Sequence, residues 1–376
     1  MKLNLTKPRK FIRQLRTLKS LAKKCTFFQV LDMITLALKY GFSPLEYHLY
    51  GFDRKHRIKQ QRLFYLSNDR IEKRFRPVLN NRRWTSILGN KLLFYLFYSQ
   101  LKLAVARVYG FYYPEKGFFL DGGLLRKESD FAEWVERTNP KTLVIKPVGS
   151  LGGKGIKIFD ELVSFESLMS TEGRQYALSE VFSFMNADIM NRQVREDPYK
   201  GFILEEKIEQ AEEMNVFGSR SLNTIRVSTL RTKKGEILTD FAMLRVGGKD
   251  SITDNLHQGG YVVNIDVNDG NLGEKAFGYI GKSGPWIEEK SVNIKEFFLG
   301  GKVPDWREII EIAKKAALFS PNLFSIGWDI ALSKDGPVLM EGNENWDMVI
   351  AQVLAGGYLS ERRREILKEY GLEFPR

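Results

Sequence analysis

Apolar positions repeat at helical spacing in the front of the chain and at strand spacing behind it. Phe11, Ile12, Leu15, Leu18 and Leu21 fall three or four residues apart between lysines and arginines, and Phe27, Val30, Leu31, Ile34 and Leu38 extend the stripe. The pattern predicts helix over residues 8–40, stopped at Gly41, with Ser43-Pro44 as N-cap and first-turn proline of the next helix. A further apolar helix is expected from Ile87 to Val108, through Leu92, Leu93, Leu96 and Phe97. Basic amphipathic stretches of this kind either pack into a core or lie on a membrane surface, and the core reading is preferred.

The pattern changes after Gly110. Strands are expected at Leu143–Lys146, Gly155–Phe159, Phe202–Ile208, Ser221–Arg231, Ile237–Val246 and Tyr261–Val267, with turns at Lys233-Lys234-Gly235 and Asn268-Asp269-Gly270. A helix is expected from Trp306 to Leu318, announced by Pro304 and by a capping box of Asp305 with Glu308. No internal repeat or low-complexity linker interrupts the chain. The expected fold class is α+β behind a basic, mainly helical front.

Composition sharpens this picture. A chain of 376 residues, 43% of them hydrophobic, can bury a sizeable core and hold two or three compact units. One cysteine, Cys25, excludes an internal disulfide, and His48, His56 and His257 are too scattered for a histidine metal centre. The front lacks the apolar run and cleavage site of a secretory signal, and the longest apolar run, Leu92 to Tyr98, is far shorter than the roughly 20 residues that span a bilayer. A cytoplasmic location is therefore expected, with the inner face of the membrane as a peripheral alternative. Charge is unevenly spread: the first 110 residues hold 24 Lys/Arg against 5 Asp/Glu, and the remainder 34 against 41. That front either meets an anionic partner, such as an acidic saccharide or a membrane surface, or is a solvated helical face. Nucleic acid, resting on charge alone, ranks last.

Three segments carry chemistry. Lys146-Pro147-Val148-Gly149-Ser150-Leu151-Gly152-Gly153-Lys154-Gly155 sets a lysine at a strand end before a glycine-rich loop. Glycines let backbone N–H groups approach phosphate oxygens, and lysine neutralises their charge. It is neither a Walker A loop nor a dinucleotide fingerprint, and a plain glycine-rich hairpin is the alternative. Phe202–Ile208 reads as an apolar strand ending in carboxylates, either a hinge against which adenine packs or an ordinary strand with a polar end. Finally, Gly327–Leu332 and Gly336–Asn343 flank a turn at Lys334-Asp335-Gly336, which suits a three-residue hairpin with left-handed glycine. In that register Asp329 lies opposite Glu341, with Asn343 two residues on along the same face. Two carboxylates and an amide oxygen converging there suit Mg²⁺, whose remaining ligands are usually waters and phosphate oxygens. A solvent-facing acidic pair gives no reason for Asn343.

In this order, lysine, glycine loop, acidic hinge and Asp…Glu-x-Asn hairpin resemble the ATP-grasp superfamily. Ser221–Val227, Pro304-Asp305-Trp306 and Gly327-Trp328-Asp329 are similar, more narrowly, to the sugar-transfer-associated ATP-grasp family, related to α-L-glutamate ligases. The resemblance covers residues 140 to 350 and implies an ATP-grasp fold, two α+β subdomains sandwiching ATP. Residues 111–200 would be the subdomain with the glycine loop, 201–376 that with the adenine hinge and magnesium site, and 1–110 the basic front. The usual Rossmann-like entry domain of such ligases is not evident in the front, which leaves the substrate open.

The resemblance also implies roles. Lys146 would meet the α/β-phosphates and Lys154 the β/γ-phosphates, with Gly152 and Gly153 in the covering loop. Glu205, Glu206, Lys207 and Ile208 would frame adenine, Glu206 taking the exocyclic amine, and Asp329, Glu341 and Asn343 would hold Mg²⁺. Arg226 would contact the γ-phosphate or an acyl phosphate, a structural ion pair being the alternative. By strand alternation Asn223, three residues earlier, does not share its face. Arg245 with Asp254-Asn255-Leu256-His257-Gln258-Gly259-Gly260 is similar to the acceptor region of glutamate-ligase-like enzymes, making Arg245 catalytic and Asn223, Asn255 and His257 candidate substrate contacts. The implied reaction is ATP-dependent carboxylate–amine ligation through an acyl phosphate, on a uronic acid or amino acid in cell-surface polysaccharide biosynthesis. A sugar phosphotransferase and a non-catalytic ATP-binding partner of a glycosyltransferase are the alternatives.

Overall fold

The computed structural model describes residue 12 and residues 26–53, 59–149, 152–164, 166–191, 199–249, 251–279, 287–294, 297–298 and 301–375. The helix expected over residues 8–40 is described from Phe27; apart from residue 12, its first part lies outside the described residues. Helix α1, Phe27–Tyr40, starts at a capping box between Thr26 and Gln29 and ends at Gly41, whose φ of 76° closes the last turn. Ser43 and Pro44 open α2, Pro44–Leu49, with a second capping box to Glu46. The long apolar helix expected from Ile87 to Val108 is shorter. Ser86–Gly89 forms one turn, Asn90 caps the N–H of Leu93, and α3 runs only Lys91–Gln100. By Val108 the chain is already a strand.

Two antiparallel sheets follow. The first comprises β1 (Val108–Tyr112), β2 (Phe118–Phe119), β3 (Leu143–Pro147), β4 (Lys157–Ser164), β5 (Ser167–Ser170), β6 (Gln175–Ala177) and β7 (Phe202–Glu205), in the order β2-β1-β7-β3-β4-β5-β6. Helices α4 (Glu128–Thr138) and α5 (Leu178–Asn191) cover one face, where Trp134, Phe182 and Met185 pack on Ile145, Phe202 and Leu204. The second sheet comprises β8 (Thr224–Arg231), β9 (Ile237–Val246), β10 (Tyr261–Ile265), β11 (Leu272–Tyr279), β12 (Ile287–Lys290), β13 (Ser325–Ser333) and β14 (Gly336–Asn343), in the order β12-β11-β10-β9-β8-β13-β14. No helix among the described residues is long and apolar enough to cross a membrane.

Both faces of the second sheet are covered, so β13 is buried along its whole length. On one face α6 (Trp306–Leu318) sets Ile309, Ala313 and Ala316 against Ile225, Val227 and Leu244, and Phe94 and Tyr98 of α3 join the same core. On the other, Ile350 and Ala351 of α7 (Met348–Ala355) and Ile366 and Leu367 of α8 (Glu361–Glu369) pack with Phe241 and Met243. Leu66, Ile71, Phe75 and Leu79 belong to that second core. The later part of the basic front is therefore built into the body of the second sheet. The expected boundaries at 110 and 200 do not coincide with sheet boundaries, since β7 inserts between β1 and β3.

Two local expectations change. Asp305 adopts left-handed backbone angles (φ 49°, ψ 31°), and its side chain makes no capping bond, so the Asp305–Glu308 box does not form. The β13–β14 turn has two residues, not three: Ser333 pairs with Gly336, and a bulge at Met340 adds the missing residue between the Ile330–Leu339 and Asp329–Glu341 pairs. The two departures cancel, and Asp329 still faces Glu341.

Candidate active site

A cleft of about 600 Å³ separates the first sheet from β14. Its inner part is apolar: Val108, Val144, Ile158 and Ile203 come from the first sheet, Leu339 and Met340 from the second. Such a slot accepts a flat heteroaromatic ring. At its edge Lys146 forms an ion pair with Glu205, both largely buried, on neighbouring strands β3 and β7. Glu205 is thus the partner of the lysine rather than a free group for a base edge. Glu206 lines the cleft while its backbone N–H donates to the Arg107 carbonyl at 2.9 Å, and Ile208 lines it too. The Lys207 ammonium turns to Asp160 on β4, and its N–H donates to Thr142 Oγ1 at 3.2 Å.

Gly152 and Gly153 of the glycine-rich segment also line the cleft. Gly152 and Gly153 have φ of 66° and 73°, and a Cβ on Gly153 would meet Thr253 Cγ2 at 2.5 Å. The Asn255 amide donates to the Gly152 carbonyl at 2.9 Å, so the loop rests on the segment after β9. Lys154 is exposed and lies outside the cleft lining.

The charged centre is built on one face of four adjacent strands, β9, β8, β13 and β14. Arg226 pairs directly with Asp329, and Asp329 with Glu341. Two parallel hydrogen bonds join Arg226 to Asp329, one of them Nη2 to Oδ2 at 2.7 Å. Arg245 donates to Asp329 Oδ2 at 2.9 Å and to Asp254 Oδ1 at 3.2 Å, and Thr224 donates to Asp254 Oδ2. The Asn343 amide donates to Asp329 Oδ2 at 3.3 Å and to Glu341 Oε1 at 3.2 Å. Burial alone would raise the Asp329 carboxyl, yet the Arg226 and Arg245 guanidiniums hold it well below the usual carboxylate range. Burial, and then the charge of Asp329, push Glu341 up, with Lys91 opposing. Burial also pushes Asp254 up against the pull of Arg245.

Three carboxylates, Asp329, Glu341 and Asp254, thus lie among the guanidiniums of Arg226 and Arg245 and within reach of the Lys91 charge. Among the described residues no three His, Cys, Asp or Glu side chains converge as a metal site by themselves. The oxygens here are those of two opposed carboxylates, with the Asn343 amide turning its NH2 toward them; rotation of that amide to present its oxygen would complete an all-oxygen set of the kind that suits Mg²⁺. Glu341, raised by burial and by its neighbour Asp329, is the donor with most to gain from a cation. Asp329 already holds two guanidiniums.

Other expected residues sit differently. Asn223 is fully buried below the cleft, where its Oδ1 accepts from Gly247 N at 3.1 Å and Ser219 Oγ at 2.8 Å, so it braces a loop and does not reach a substrate. Asn255 lines the cleft, but its amide holds Gly152. His257 lies in a short turn, Leu256–Gln258, and its side chain is outside the described residues. Lys91, Thr224 and Asp254 line the cleft without having been assigned a role from sequence. The backbone N–H of Lys91 donates to the Val148 carbonyl at 3.1 Å, tying the start of α3 to the strand before the glycine loop.

A family model described as sugar-transfer associated ATP-grasp matches residues 70–368. No protein of curated function matches the chain. Similar solved structures include a biotin carboxylase–β,γ-ATP complex from Campylobacter jejuni, with 10% identity over 80% of this chain and 50% of that one and a TM-score of 0.46. A phosphoribosylamine–glycine ligase from Thermotoga maritima is 12% identical over 82% of this chain and 61% of that one (TM-score 0.44). A D-alanine–D-alanine ligase from Coxiella burnetii is 9% identical over 77% and 53%, respectively (TM-score 0.37). The chain spans less than two thirds of the length of each.

Proposed function

The chain belongs to the sugar-transfer-associated ATP-grasp family, and from that membership we propose that it is an ATP- and Mg²⁺-dependent ligase joining a carboxylate to an amine. The observation that carries this reading is the cleft, where an apolar slot leads past the Lys146–Glu205 pair to the Asp329–Glu341 pair. The adenine ring lies in the slot, beside Glu206 and Ile208. Lys146 neutralises phosphate oxygens from a position fixed by Glu205, and Arg245 presents a guanidinium locked by Asp254 and Asp329. Arg226 acts by positioning Asp329, the structural alternative to a direct phosphate contact. Lys154 reaches the β/γ-phosphates when its exposed loop folds over the nucleotide. Glu341, Asp329 and Asn343 would hold Mg²⁺, which when bound would neutralise charge on the transferred phosphoryl group.

A carboxylate is a poor electrophile because it is already anionic. In the proposed reaction its oxygen attacks the γ-phosphorus, the bond to the β-phosphate oxygen breaks and ADP leaves. The amine nitrogen then adds to the acyl carbon, expels inorganic phosphate and loses a proton. No side-chain nucleophile is needed. The family's association with sugar transfer supports a uronic acid or an amino acid of a cell-surface glycan as the proposed carboxylate.

The test is an ATP-consumption screen over uronic acids and amino acids with amine donors, with products weighed by mass spectrometry and Asp329→Asn as control. Release of ADP, inorganic phosphate and an amide supports the ligase. A stable phosphorylated sugar would make the enzyme a phosphotransferase and overturn it.

A further inference from the structure

We infer that the outer face of α1 is a docking surface for an anionic lipid bilayer. Five large apolar side chains stand out from this 14-residue helix: Phe27 is 73% exposed, Phe28 80%, Leu31 46%, Ile34 40% and Leu38 82%. At about 100° per residue they fall within about a third of the helix circumference, one continuous stripe. The inner face fixes its direction. Met33 and Leu36 are buried with Tyr47, Tyr50 and Phe52, and Asp32 turns inward to Arg62 at 2.6 Å and the Tyr47 hydroxyl at 3.0 Å. The outer face therefore carries no negative charge.

Residues 1–25 contain nine Lys/Arg and no Asp/Glu. An apolar stripe continuous in sequence with such a run matches the two things an anionic interface offers, hydrocarbon and negative headgroups. A second copy of the chain is the poorer occupant, because it would bring a second strongly basic sequence and no complementary negative charge. None of the stripe residues lines the nucleotide cleft.

The experiment is co-sedimentation of the full chain with phosphatidylcholine vesicles, with and without about 30% phosphatidylglycerol, beside sedimentation velocity without lipid. The expected result is binding only where phosphatidylglycerol is present, weakened at about 0.5 M NaCl. The triple variant Phe27→Ser, Phe28→Ser, Leu31→Ser should lose at least about tenfold in partitioning. Its urea midpoint should stay at the wild-type value, which separates lost docking from lost folding. Equal binding by the triple variant overturns the inference. So does a lipid-indifferent chain, whether it is a dimer that the triple variant splits or a monomer whose stripe is left to an acidic protein.

Discussion

Arg226 and Asp329 sit directly opposite each other on β8 and β13 and are joined by two parallel hydrogen bonds, both side chains almost fully buried. Removing one partner of a buried ion pair strands the other. Arg226→Met should therefore cost about 3–5 kcal/mol, measured by urea unfolding. With Asp329→Asn added, the double variant should lose clearly less than the sum of the two. Additive losses would mean that Arg245 alone satisfies Asp329.

Glu341 should behave in the opposite sense. Its folded pKa is raised, first by burial and then by Asp329. Its contribution to stability is thus present below pH 4.5 and lost as pH rises through the folded value. Above the unfolded value the raised folded pKa therefore works against folding. Glu341→Gln should raise the ligand-free melting temperature by roughly 1–3 °C and lower Mg²⁺-dependent ATP turnover by roughly a hundredfold. A melting temperature that falls at pH 7.5 would contradict this account. Asp329, with its folded pKa depressed, contributes stability present above pH 3.8 and lost as pH falls through the folded value.

Lys146→Met leaves Glu205 buried without its partner, and should cost about 2–4 kcal/mol. Calorimetric titration should show ATP and ADP weakened by at least roughly tenfold, with adenosine nearly unaffected. Equal weakening of all three ligands would assign Lys146 to the shape of the slot rather than to phosphate.

Gly153→Ala sets a Cβ at 2.5 Å from Thr253 Cγ2 on a backbone with φ of 73°. The strain of about 1–2 kcal/mol and the clash together should lift the glycine loop from its rest and raise the KM for ATP. Adding Thr253→Ala should recover part of the loss. No recovery would place the defect in the backbone angle alone.

Much of this site was legible from local pattern. Strand alternation and hairpin register set Asp329 against Glu341, because residues on one strand face are fixed by parity. The turn length was misjudged, since nothing in Lys334-Asp335-Gly336 announces a bulge six residues from the turn's start. The ion pair Lys146–Glu205 has no local signal, because only the first sheet's crossover brings β7 beside β3, and Arg245–Asp254 depends on how the loop after β9 folds back on its own strand. Lys91 gave no local signal at all. It sits at the start of an apolar helix, the only charged residue between Arg83 and Lys102, and long-range packing alone brings it to the cleft.

The hairpin tip makes one more set of contacts. Lys334 N–H donates to the Glu209 carbonyl at 3.1 Å, Ala211 N–H donates to the Leu332 carbonyl at 2.9 Å, and Gln210 bridges to Ser333. The stretch just after Glu206 and Ile208 is thereby held to the strands that carry Asp329 and Glu341. With adenine and Mg²⁺ assigned to those two places as proposed above, the span between them is a ruler of fixed length. A nucleotide too short to reach along it leaves one end unread, so adenosine and AMP should dock without reaching the carboxylates, and only the full triphosphate completes the measure.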